Sequence, residues 1–153
     1  MDPVFKKLNF KNQDQVLVLN APDSFLPNLE NMQDLTTVFK SADELNSISF
    51  LLVFVTEKDV MENIVRTNAE KFEGDTLVWI AYPKKSSKKY TCNFNRDTGW
   101  EVFGAHDMEP VRQVAIDEDW SALRFRKVDY IKKMTRSESF ALSEKAKSRL
   151  SNK

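Results

Sequence analysis

Glycine, histidine and cysteine are scarce in this sequence, and each scarcity removes a class of chemistry. Gly74, Gly99 and Gly104 are the only three glycines among 153 residues. Loops that cradle phosphates need glycine, because the backbone must take positive φ and approach the phosphate closely. Neither G-x-G-x-x-G nor G-x-x-x-x-G-K-[ST] can be written with these three, which excludes the usual dinucleotide and P-loop fingerprints. His106 is the single histidine and Cys92 the single cysteine. A zinc site needs three or four ligands, mostly of these two types, so no metal site is expected. One cysteine forms no intrachain disulfide. A Ser-His-Asp triad would have to use His106, which stands in GAHD at what reads as a helix end, where a histidine commonly meets the last carbonyls. No apolar run approaches the about 18 residues of a membrane span. The first residues, MDPVFKKLNF, lack the apolar stretch of a secretory signal. The expectation is a cytoplasmic domain with no membrane partner.

What is present is an ordinary globular composition, 41% hydrophobic and 30% charged, which suits one core. A chain of this length buries about 70% of its extended surface, enough for a single domain. VLVLN at 16–20 is a short apolar run that suits a strand buried on both faces, and Pro22 blocks its continuation. Asp23 or Ser24 is placed to cap a helix carrying Leu26, Leu29 and Met32, with Pro27 in its first turn. TTVF at 36–39 reads as a weaker strand. ISFLLVFV at 48–55 is the most apolar run and reads as the central strand. Thr56 and Asp59 resemble a capping box, and the helical spacing of Val60, Met61, Ile64, Val65, Ala69 and Phe72 carries that helix to about Phe72, with Gly74 placed to end it. TLVWIAY at 76–82 is the next buried strand, ended by Pro83. Asn95 or Asp97 is placed to cap a short helix burying Trp100 and Phe103. VRQVAI at 111–116 and SALRFR at 121–126 read as an antiparallel hairpin around a turn at 117–120. Alternation of this kind predicts an α/β domain over residues 1–128, with a mostly parallel, Rossmann-like sheet flanked by helices and closed by the antiparallel hairpin.

Net charge is zero, yet the charges are segregated. Residues 126–153 carry nine Lys and Arg against three acids, and residues 1–125 carry 14 against 20. Residues 129–153 read as a basic, serine-rich tail, disordered or loosely helical. Inside the acidic body, residues 84–96 form a basic island with no acid: Lys84, Lys85, Lys88, Lys89 and Arg96, with Ser86 and Ser87 between them. The island follows a parallel strand, so it belongs to the carboxyl edge of the sheet, where open α/β sheets bind ligands. The turn at Asn20–Ser24 and the helix start at Thr56 belong to the same edge. Lysines, serines and helix N-termini there suit a phosphate or carboxylate; the plainer reading is a lysine-rich exposed loop. Asp117, Glu118 and Asp119 are oxygen ligands in principle, though three acids between two strands ordinarily form a solvated turn. Arg112 or Arg124 would face Asp117 or Asp119, as a buried pair or a surface one. Of the three tryptophans only Trp120 is placed to be exposed; Trp79 and Trp100 lie inside apolar runs.

Four stretches, VLVLNAP at 16–22, LVWIAYPKKSS at 77–87, NRDTGW at 95–100 and PVRQVAIDEDWSALRFRK at 110–127, resemble a bacterial family known only as a domain of unknown function. The order of elements is also similar to the class I methyltransferase fold. That resemblance implies S-adenosylmethionine at the carboxyl edge of the first strands. The chain departs from the pattern where the cofactor would sit. Asn20-Ala21-Pro22-Asp23 replaces the glycine-rich turn, and Lys40 and Ser41 stand after the second strand where an acidic residue would meet the ribose, Asp43 and Glu44 coming late. Two functions follow. One is a small non-enzymatic binding or interaction module, without cofactor, whose basic loop takes an anionic small molecule or a protein partner. The other is a reduced methyltransferase-like or nucleotide-binding enzyme. Nucleic acid is disfavoured as a partner, since the acidic body repels a polyanion.

Overall fold

The computed structural model describes residues 1–94 and 99–131. Ten elements follow one another: α1 (Pro3–Lys7), β1 (Gln15–Leu19), α2 (Leu26–Glu30), β2 (Thr37–Phe39), β3 (Ile48–Phe54), α3 (Lys58–Asn68), β4 (Phe72–Pro83), α4 (Glu101–Gly104), β5 (Met108–Ala115) and β6 (Trp120–Lys127). The strands form one sheet in the order β2-β1-β3-β4-β6-β5. β1, β2, β3 and β4 run parallel, while β6 lies antiparallel between β4 and β5. This is the mostly parallel, Rossmann-like sheet with a closing antiparallel pair that the alternation predicts.

The apolar runs are continuous because both faces of the central strands are buried. Phe50, Leu52 and Phe54 of β3 pack with Leu77, Trp79 and Ala81 of β4 under α1 and α2. Leu51 and Val53 point the other way with Val78, Ile80 and Tyr82, against Met61 and Val65 of α3 and Phe103 of α4. On that second face Phe103 stacks on Phe125 with ring centroids 3.7 Å apart. The edge strands are blunted: β2 is three residues long, and β5 contains Pro110 and a register shift between Pro110 and Arg112.

α1 is absent from the sequence reading, and its position is set by two buried polar groups. Asp2 is 1% exposed and accepts from the amides of Val4 (2.9 Å) and Phe5 (3.2 Å) and from the side-chain amides of Asn28 and Asn31. At the other end the indole Nε1 of Trp79 donates to the Leu8 carbonyl at 2.9 Å, satisfying a terminal carbonyl that has no partner within the helix.

Several local expectations are corrected. The helix after β3 stops at Asn68, a single 3-10 turn follows, and Phe72 opens β4, paired with Ile48. Gly74 is therefore no helix stop. It sits at φ 57° inside β4, where the register shifts between Ile48 and Phe50. A helix C-cap and a strand bulge both call for a left-handed residue, so glycine alone does not tell them apart. After β1 the chain makes a 3-10 turn at Asp23–Phe25 and then only five residues of α2, with no side-chain cap from Asp23 or Ser24 and with Met32 beyond the helix. The hairpin strands begin earlier than expected, at Met108 and Trp120. Val128 and Ile131 are buried after it. The expected cap at Asn95 or Asp97 and nearly all of the tail lie outside the described residues.

Replacing Asp2 by Ala removes both helix-capping bonds and strands two amide groups. The expected cost is about 2–3 kcal/mol of unfolding free energy in urea denaturation. A loss below about 0.5 kcal/mol would show that water replaces the carboxylate.

Candidate functional site

The strand order places a switch point between β1 and β3, because the chain leaves β1 toward β2 and returns past it to β3. Ligand crevices in open α/β sheets form at such a point, outside the carboxyl ends of the strands. Asn20, immediately after β1, has φ 60°. Asparagine is one of the few side chains that tolerate this left-handed turn, so the chain makes without glycine the turn that glycine usually supplies. Pro22 then removes one amide donor, and the short α2 offers no row of free amides.

Two connections and two strand ends meet along this edge through aromatic rings. Phe25, from the segment after β1, lies 5.0 Å from Phe54 at the end of β3. Phe54 meets Trp120, at the start of β6, edge to face at 5.1 Å. Trp120 in turn lies 4.8 Å from Tyr90 of the lysine loop. Phe25, Phe54 and Trp120 are buried, and Tyr90 is the half-buried outer end of the row. Trp120 is thus not the exposed tryptophan of the sequence reading. Its indole Nε1 is buried and has no hydrogen-bond partner among the described residues.

The basic island stands beside this row, at the carboxyl end of β4. Lys85, Ser86, Lys88 and Lys89 are exposed, and Lys84 and Ser87 half-buried. Arg96 lies outside the described residues. Ser87 is not free to bind a ligand: its Oγ donates to Asp119 Oδ1 at 2.9 Å and accepts from the amides of Lys89 and Tyr90. The Lys84 amide donates to the Asp119 carbonyl at 2.8 Å. Asp117 accepts from the amides of Asp119 and Trp120. Asp117 and Asp119 therefore serve as turn and loop anchors. Among the described residues no group of three or more His, Cys, Asp or Glu side chains is placed to hold a metal ion.

The helix start at this edge also differs from expectation. Thr56 and Asp59 form no capping box. Asn93, from the far end of the lysine loop, accepts the Lys58 amide at 2.8 Å on its Oδ1 and donates its own amide to the Thr56 carbonyl at 3.2 Å. The first donor of α3 is thereby taken, and Asp59 occupies its first turn. Cys92, next to Asn93, is half-buried, and that burial pushes its thiol up, against a lowering hydrogen bond from the Phe94 backbone. His106 is exposed beyond α4, before β5 starts at the opposite edge, so it forms no pair with Cys92. Asp43 and Glu44 lie on the crossover between β2 and β3, where Lys71 holds the neighbouring Ala42 carbonyl at 2.9 Å. A separate cleft of about 460 Å³ opens beside edge strand β2, lined by Leu26, Glu30, Gln33, Thr37 and Lys40 among others.

Comparison with solved structures identifies the fold. A SAM-dependent methyltransferase from Aquifex aeolicus superposes with a TM-score of 0.58 at 14% identity, over 82% of this chain and 88% of that one. A protein of the NADB-Rossmann superfamily from Streptococcus agalactiae gives 0.47 at 12% identity, over 92% and 73%. The Methanococcus jannaschii fibrillarin pre-rRNA processing protein gives 0.48 at 11%, over 76% and 67%. The first of these shows a methyltransferase-like Rossmann fold; the other two, below 0.5, add no argument. No protein-family model and no curated protein matches the chain, so the resemblance to a bacterial family of unknown function gains no support. Among the described residues, no helix is long and apolar enough to cross a membrane.

Two outcomes test the loop geometry. Asn93→Ala removes the side chain that accepts the Lys58 amide and is expected to cost about 1 kcal/mol in thermal or urea denaturation. Cys92, with its thiolate disfavoured by burial, is expected to react with iodoacetamide at pH 8 more slowly in the native protein than in urea. Equal rates would mean the loop does not cover the thiol.

Proposed function

We propose that the chain is a reduced methyltransferase-like, nucleotide-binding protein that does without the glycine-rich cofactor loop. The observation that carries this reading is the row of Phe25, Phe54, Trp120 and Tyr90. Four segments of the chain bring these rings together at the switch-point edge, beside a lysine loop and with an indole N–H that has no partner among the described residues. In this reading the base of the ligand packs on Tyr90 at the outer end of the row. Its phosphates are held by Lys84, Lys85, Lys88 and Lys89, with Ser86 as a further donor and Arg96 as a further cation. Ser87 keeps its structural role and orders the loop.

The group that the fold implies is S-adenosylmethionine. The residues present do not fit it in the usual manner. Asn20 provides the left-handed turn, but Lys40 follows β2 where the ribose would need a carboxylate, and Asp43 and Glu44 are carried onto the crossover. A phosphate-bearing ligand suits this lysine-rich edge better than a sulfonium cation does. The alternative, a non-enzymatic interaction module, draws on the same loop and has no separate observation behind it.

The test is a thermal-shift series with ATP, AMP, S-adenosylmethionine and its demethylated product. A ligand at about 100 times its Kd stabilises by about 2.7 kcal/mol, which for a chain of this size raises Tm by about 5–10 °C. ATP or AMP is expected to give such a shift. Replacing Lys84, Lys85, Lys88 and Lys89 together by Gln is expected to weaken binding at least about tenfold, and Tyr90→Ala to weaken it without unfolding the protein. A flat response to all four ligands at millimolar concentration would overturn the reading, as would binding that survives both variants.

A further inference from the structure

A second charged cluster lies away from the carboxyl edge, on the face of β5 and β6 that continues the Trp79 side of the sheet. Arg112 of β5 and Arg124 of β6 are direct cross-strand partners, and Arg124 is the partner of Trp79 on β4. Arg126 lies two residues along β6 and so points to the same face. Like charges placed directly opposite each other destabilise a sheet, so three guanidinium groups here require a counter-charge. Asp75, one residue after the Gly74 bulge, provides part of it. Its carboxylate takes Arg126 in a two-pronged pair, with Nε to Oδ1 at 2.8 Å and Nη2 to Oδ2 at 2.6 Å.

That carboxylate is then largely committed. Arg124 is left with a 3.9 Å contact to it, although its side chain is only 11% exposed. The Arg124 Nε is buried and has no hydrogen-bond partner among the described residues. Burial, then Arg126, push the Arg124 guanidinium down from its usual range; Asp75 pulls it back up and Arg112 adds to the lowering. Arg112 is exposed. Glu109, buried opposite Arg126 on β5, is a second carboxylate, and Lys7 reaches the same hairpin, donating to the Ala115 carbonyl at 3.3 Å. Three guanidinium groups therefore stand against two carboxylates, which leaves one positive charge in excess. Guanidinium forks match the oxygens of a phosphate group.

We propose that Arg112, Arg124 and Arg126 form a phosphate-binding site, with Asp75 fixing the Arg126 fork and the exposed Arg112, opposite Arg124, meeting the ligand. The site is separate from the nucleotide site proposed above and stands or falls independently of it. A free phosphate group and the backbone phosphate of a nucleic acid share this chemistry.

The experiment follows the arginine Nε–Hε resonances of the isotope-labelled full chain while inorganic phosphate is added at constant ionic strength. The Arg124 and Arg126 signals are expected to shift saturably. Arg112→Gln changes an exposed side chain, and is expected to weaken the phosphate Kd about tenfold, the loss of one charge-assisted hydrogen bond. The quadruple Lys-to-Gln variant of the loop is expected to leave these signals and their Kd unchanged, which separates this site from the carboxyl edge. A second arm adds a short single-stranded oligonucleotide: saturation of the same signals at lower phosphate concentration identifies a polymer backbone as the source, and a response to inorganic phosphate alone identifies a free phosphate group. Shifts that grow linearly with both probes, or saturable shifts unaffected by Arg112→Gln, overturn the proposal.

Discussion

A parallel sheet has to be covered on both faces, and the described residues hold little helix to cover it with. α1 and α2 have five residues each and α4 has four; only α3, with 11, spans more than two turns. Aromatic side chains make up the difference, because one ring removes as much apolar surface from water as several small residues. Phe5, Phe10, Phe25 and Phe50 pack as one group beneath α1 and α2. Tyr82, Phe94, Trp100, Phe103 and Phe125 do the same on the opposite face. Among the described residues, these two ring groups supply the cover that the short helices do not. Asp2 and Trp79 hold the five-residue α1 in place from its two ends.

The same economy shapes the carboxyl edge. With a short α2 and a proline in the turn after β1, the edge has few backbone donors to offer a ligand. What stands exposed or half-buried there is the ring of Tyr90 and the lysines of the loop. The loop that carries the lysines is not slack: Ser87, Asp119 and Asn93 fasten it to the hairpin turn on one side and to α3 on the other. In the proposed reading, binding at this edge rests on side chains of loops, where the usual scheme rests on glycine-rich backbone.

Much of the architecture was legible in the sequence. The runs at 48–55 and 76–82 are buried on both faces, so hydrophobic continuity alone identifies them. The hairpin shows itself by two β-rich segments around Asp117–Trp120. Three things were hidden, each because it depends on a non-local partner. α1 is too short to show a helical period and is stabilised by contacts with Asn28, Asn31 and Trp79. The α3 cap comes from Asn93, 35 residues away, while the nearby Thr56 supplies a plausible local motif that goes unused. The arginine cluster is invisible because only the register of β4, β6 and β5 brings Asp75, Arg124 and Arg112 together. The lysine loop was correctly placed at the carboxyl edge by topology. That Ser87 is committed to Asp119 could not be read from a run of lysines and serines.

The Asn93 cap has a consequence for the motions of the molecule. The first turn of α3 and the far end of the lysine loop share one hydrogen bond, so neither can open without exposing the other. The Lys58 amide is held by the Asn93 side chain, so its exchange with solvent reports every opening of that bond, lifting of the loop included. Anything that settles on the loop and slows its opening will quiet that amide from a distance, while leaving the shape of the molecule as it was.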